Sequence, residues 1–134
     1  MLSEISFRGI RILAGLALAI SAAASDTALR GRLAPPVAGE PLQLVTAEGE
    51  AVELALIESM ELTMRDPQLA ERLWEVRGRR LDDGRYGVDK IFTVKDGELH
   101  RVTYYCEICH ITTHEPGRCM CCQADTDLRE LKGE

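Results

Sequence analysis

Aromatic side chains are scarce in this chain: one Trp, three Tyr and two Phe among 134 residues. A core with few rings has less large apolar surface to bury, so a metal or disulfide staple would help so small a domain. No apolar run reaches the roughly 18 to 20 residues that span a bilayer. The longest, residues 12–24, has 13 and includes Ser21. Basic residues are outnumbered, 16 against 22 acidic, for a net charge of −6. That balance argues against nucleic acid as a partner, because duplex affinity comes largely from neutralising phosphates with Lys and Arg. The local group Arg77, Arg79, Arg80 and Arg85 reads as a solvated strand face, with no exposed aromatics interleaved to stack on bases. No hydrolytic arrangement is present either. The pair Asp82-Asp83 precedes Gly84 in a turn, where such residues form turns rather than act as acid and base. A non-catalytic protein is expected.

Cysteine is absent from the first 105 residues, and all five cysteines fall between Cys106 and Cys122. Leaving aside Cys121, they read C-x2-C-x9-C-x2-C: Cys106 and Cys109, then Cys119 and Cys122. Two turns that each present a pair of thiolates can converge on one tetrahedral metal. Four thiolates with no open position suit a structural Zn²⁺. Glu115-Pro116-Gly117-Arg118 forms a turn that steers the chain back toward Cys119, and Arg118 and Arg101 are placed to offset the centre's negative charge. The same residues also spell Cys106-Glu107-Ile108-Cys109-His110, the attachment pattern of c-type haem, in which His110 would ligate iron. Soft atoms at Met120 and Cys121 keep Cu⁺ as a further alternative. His110 and His114 are possible replacement ligands, although four cysteines already complete a site.

The compartment bears on this choice. Arg8 and Arg11 precede the apolar run, and Ala22-Ala23-Ala24 closes it, the pattern of a secretory signal peptide over residues 1–24. Export to a periplasm or the exterior is therefore expected, with membrane attachment only if this segment stays uncleaved. Its removal takes away Glu4, Arg8 and Arg11 and moves the net charge from −6 to −7. In an oxidising compartment disulfides are the alternative use of the cysteines, but an odd number leaves one thiol over.

Residues 25–40, with Pro35-Pro36, Gly31 and Gly39, read as a linker. Residues 41–105 read as a β-rich domain. Strands are predicted over 41–46, 51–57, 74–80, 85–94 and 99–105, joined by turns at Gly49, Gly84 and Gly97. Trp74, Val76 and Gly78 face inward, with Glu75, Arg77 and Arg79 outward. Between residues 58 and 73 alternation and a helical stripe compete. Asp66-Pro67, a cap followed by proline, predicts a short helix through Leu73. Residues 106–134 form the Cys-rich segment. The fold class expected is mainly β: a small antiparallel barrel or sheet with one short helix and a C-terminal pair of zinc knuckles.

Two resemblances follow. The stretch from Asp66 to Arg79, a short helix feeding a strand with Val76-x-Gly78, resembles OB-like barrels. Here, however, the helix falls between the second and third expected strands. The segment from Tyr104 to about Leu128 resembles the heavy-metal-binding domain found beside copper-efflux adaptors and metal-pumping ATPases, and the zinc ribbon. Cys106, Cys119 and Cys122 match that family's cysteines, and Cys109 stands in place of its histidine. Ile108 and Ala124 replace its methionines. The resemblance implies metal handling and a metal-handling protein partner.

Overall fold

The computed structural model describes residues 28–134. The expected signal peptide, residues 1–24, and the first three linker residues lie outside them. The described elements are strands β1 (Leu29–Leu33), β2 (Gln43–Thr46) and β3 (Ala51–Ala55), helix α1 (Glu58–Met64), then strands β4 (Leu73–Arg80), β5 (Tyr86–Lys95), β6 (Glu98–Cys106), β7 (Ile111–Thr113) and β8 (Asp127–Lys132). The protein is mainly β, and its pairings are antiparallel except for β3 with β5. No helix among the described residues is long and apolar enough to cross a membrane.

The pairing path runs β3-β2-β1-β4-β5 and returns to β3 through Leu54↔Tyr86 and Ala55↔Gly87. Helix α1 connects the third strand of this circuit to the fourth. β5 continues into a hairpin with β6, whose Asp96 and Gly97 both have positive φ, 52° and 76°. Asp-Gly-type turns of this hand match the twist of the flanking strands. β6 then carries β7 at its far end and β8 along residues 100–105.

Three sequence expectations need correction. Residues 29–33, inside the supposed linker, form β1, which pairs with both β2 and β4. The prolines that suggested a linker begin only at Pro35, after the strand has ended. With β1 counted, the helix falls between strands three and four. The second correction concerns residues 58–73. The stripe Met60 and Met64 produces α1, whereas Asp66-Pro67 opens only a three-residue 3₁₀ turn, Pro67–Leu69. Asp66 does cap it, accepting from the Gln68 amide at 3.0 Å, but Leu73 is already committed to β4, leaving no length for a helix. Third, Glu75 is buried, not outward into water: it is 4% exposed and held by Arg30 at 2.7 Å and Arg77 at 3.0 Å.

The scarce aromatics are placed where they count. Trp74, Tyr86 and Tyr104 are each at most 1% exposed and anchor the core with Leu44, Leu69 and Val76. The Tyr104 hydroxyl donates to Asp66 Oδ2 at 2.6 Å. This satisfies a buried polar tip and fixes β6 against the turn after α1. Burial, then the Asp66 carboxylate, pushes the Tyr104 phenol well above its ordinary range.

Candidate metal centre

Each half of the Cys-rich segment is a tight hairpin. In the first, β6 ends at Cys106 and β7 begins at Ile111, the two residues being register partners. The His110 amide donates to the Cys106 carbonyl at 2.8 Å, and His110 itself has φ 56°. In the second, the Gln123 amide donates to the Cys119 carbonyl at 2.9 Å, and Gln123 has φ 62°. There Cys119 pairs with Ala124, and Arg118 bridges Asp125. Position for position the turns correspond: Cys106 with Cys119, Ile108 with Cys121, Cys109 with Cys122, His110 with Gln123. Such left-handed backbone is the place where glycine usually sits; His110 and Gln123 carry no such signal, so the cysteine spacing alone marks the two turns.

The two turns face each other. The sulfurs of Cys106, Cys109, Cys119 and Cys122 all lie within 4.8 Å of one another, with Cys106 Sγ and Cys122 Sγ 3.5 Å apart. A tetrahedron with metal–sulfur bonds of about 2.3 Å has edges of about 3.8 Å, so the donor set fits one metal ion with little adjustment. All five cysteines are free thiols.

Backbone amides prepare the sulfurs unequally. The Cys109 amide donates to Cys106 Sγ at 3.4 Å. The amides of Cys122 and then Cys121 favour the Cys119 thiolate and hold its pKa down to about 7. Cys109 is pushed up, first by contact with the Cys121 and Cys122 thiols and then by burial. For Cys106 the favourable Cys109 amide is outweighed by burial and by the thiols of Cys122 and Cys119, leaving it raised. Without a cation, then, the cluster does not readily carry four negative charges, since each thiolate opposes the next. A bound cation removes that conflict.

The remaining candidates are not part of the four-sulfur group. Cys121 is exposed and outside the four-sulfur group. Met120 is 84% exposed. The His110 ring is engaged through Nδ1 with the Tyr105 hydroxyl at 2.7 Å. His114 is exposed, and its carbonyl accepts from Thr63 Oγ1 at 2.7 Å, tying the loop after β7 to α1. Arg101, expected to offset the cluster's charge, sits five residues before Cys106 on β6, opposite Leu131. That is about 16 Å along the strand. Sequence reasoning missed Arg129, whose guanidinium lies 3.8 Å over the Tyr105 ring and 3.9 Å from Glu107. Its place on β8, directly opposite β6, was the only signal, and β8 itself was not anticipated.

A separate groove of about 750 Å³ opens beside β3 and β5. Arg65, Arg79 and Arg85 line it together with Glu53, Glu61 and Asp89, so no charge sign dominates. Comparison with protein-family models, with curated proteins and with solved structures finds no match.

Proposed function

We propose that this protein is an exported, non-catalytic metal-binding module whose C-terminal segment holds one zinc ion through Cys106, Cys109, Cys119 and Cys122. The observation that carries this reading is the convergence of four sulfurs within 4.8 Å. The near-equivalence of the two turns supports it further, because two matching thiolate pairs are what a closed tetrahedral site uses. The strand circuit, with its helix between the third and fourth strands, supports an OB-like barrel as the carrier. Metal handling, with a protein partner, is the wider role suggested by the heavy-metal-binding resemblance; the mixed charge of the large groove gives no support to a nucleic-acid partner.

Copper is the second reading, favoured by one observation: the exposed Met120 and Cys121 are soft donors lying in the chain between the ligands Cys119 and Cys122. Haem is supported less. Within the turn, Cys106 and Cys109 face two further sulfurs, and His110 is hydrogen-bonded to Tyr105.

Native protein recovered from the exported fraction tests the reading. It should be colourless, contain about one zinc per chain, and have an N-terminus near Ser25 by intact mass. Copper in place of zinc selects the second reading. A covalently retained haem with a Soret band removes both, and an intact Met1 in membrane material removes the export assignment.

A further inference from the structure

On the side away from β4, β5 is paired only at its two ends. β3 runs beside it at Tyr86 and Gly87 and no further, because the chain leaves the sheet after Ala55 to enter α1. β6 joins it only at Thr93, Val94 and Lys95. Between these contacts, residues 88–92 have no strand partner on that side among the described residues. β6 carries a matching gap. Its pairing with β5 stops at His100 and its pairing with β7 starts at Tyr104, which leaves residues 101–103 open on the same side. β8 takes the other side of β6, where His100 and Tyr104 each have a second partner. The hairpin thus forks beyond three pairs, and a groove of about 460 Å³ lies in the fork with α1 as its third wall.

We propose that this groove docks an extended acidic peptide segment of a partner protein, which adds a strand to β5 along residues 88–92. An unpaired strand edge supplies a row of main-chain donors and acceptors that only another extended chain can satisfy together. The gap of five residues matches about 17 Å of strand. The walls suit alternate apolar side chains: Met60 of α1, Ile91 of β5 and Val102 of β6 line the groove, and Ile57, 60% exposed, stands at its rim. Charge selects the peptide's sign. Arg101 lines the groove, is exposed, and makes no ion pair or hydrogen bond among the described residues. Lys90 adds a second cation. Of the two anions present, Glu134 is already held by Arg77 at 2.8 Å, leaving Asp89 alone against the two cations. A carboxylate on the incoming strand gives Arg101 the partner it lacks, in a chain whose net charge is otherwise −6. No cysteine lines this groove, so the proposal does not rest on the metal reading.

The test selects binders to the full chain from a phage library of random peptides, then titrates the enriched peptide, made synthetically, against the chain. Enriched sequences should alternate apolar and polar residues and carry Asp or Glu. Bound peptide should slow amide exchange at residues 88–92, the readout that separates strand addition from contact through side chains alone. Arg101→Glu should weaken binding about tenfold or more by setting like charges together. Ile57→Glu, at an exposed position, should keep the wild-type thermal melt and weaken binding by a similar factor, about tenfold. The same peptide N-methylated along one edge should bind at least about tenfold more weakly, a comparison that leaves the protein untouched. A library that enriches nothing overturns the proposal, as does exchange that slows only away from residues 88–92, or an N-methylated peptide that binds equally well. A dimer in sedimentation that protects residues 88–92 without peptide assigns the edge to a second copy and overturns it too.

Discussion

Glu130 shows how a single side chain can join parts of the sequence that look unrelated. It lies on β8, 8% exposed, and receives Arg72 at 3.0 and 3.2 Å, Lys95 at 2.9 Å and Thr93 at 2.8 Å. Burial alone would raise its pKa, but the Arg72, Lys95 and Thr93 hydrogen bonds outweigh that and lower it from 4.5 to about 2. A carboxyl whose folded pKa is depressed adds stability above its unfolded pKa and loses it as pH falls. The contribution from Glu130 should therefore be complete above about pH 5 and fade between about 4.5 and 2. Glu130→Gln should cost on the order of 2–3 kcal/mol at neutral pH. It should also flatten the acid limb of the stability curve, read by urea unfolding across that range. An unchanged acid limb would show that other carboxyls govern it. None of this is legible from residues 127–132 read alone, where Leu128, Arg129 and Glu130 look like an exposed tail. The partners lie 35 to 58 positions away. The cysteine spacing is legible because metal ligation imposes a local geometry that a short turn must satisfy. That Cys121 stays outside the four-sulfur group is legible for the same reason, since it is the one cysteine that the two C-x2-C pairs leave over.

At the scale of elements, close backbone crossings decide what is tolerated. A Cβ on Gly78 would fall 1.8 Å from the Gly87 carbonyl oxygen, where β4 and β5 change register between Arg77 and Gly78. Gly78→Ala should accordingly destabilise the protein by about 3 kcal/mol or more, through forced strand separation. Gly84 has open space around it but φ +89°, so Gly84→Ala should cost only about 1–2 kcal/mol. Thermal melts of the two variants check the order, and similar losses for both would remove the crossing as the cause. Strands with clean alternation and glycine turns, β2 to β6, could be read from the sequence because local pattern and final structure agree. β1 could not, since five residues beside Pro35-Pro36 acquire their strand character only from β2 and β4. Likewise α1 competes with a strand pattern and prevails because the chain must pass from β3 to β4 in 17 residues, 56–72, bounded by the two strands.

Across the whole molecule, β6 is the shared member. Its first residues pair with β5 in the core sheet and its last residue is a candidate metal ligand. β8, which follows the second knuckle, returns along β6 and is held from the other side by the Glu130 contacts. Stripping metal with a strong chelator should therefore loosen residues 107–125 while leaving the circuit intact. Amide exchange should speed up across the knuckles and remain slow in β4, β5 and the β6–β8 ladder. Global loss of protection on chelation would instead make the metal a condition for folding the entire domain. The closed strand circuit has a kinetic consequence as well. Hairpins β5–β6 and β6–β7 join neighbours in the chain, but closing β1 on β4 brings Arg30 to Glu75, 45 positions away. Loop-closure entropy falls on that contact before its burial energy is gained. Docking of β1 on β4 should therefore be the slow event in folding, with the cysteine turns able to gather a metal on a sheet whose ring is still open; stopped-flow refolding in which Co²⁺ absorption appears no earlier than β1 protection would show otherwise.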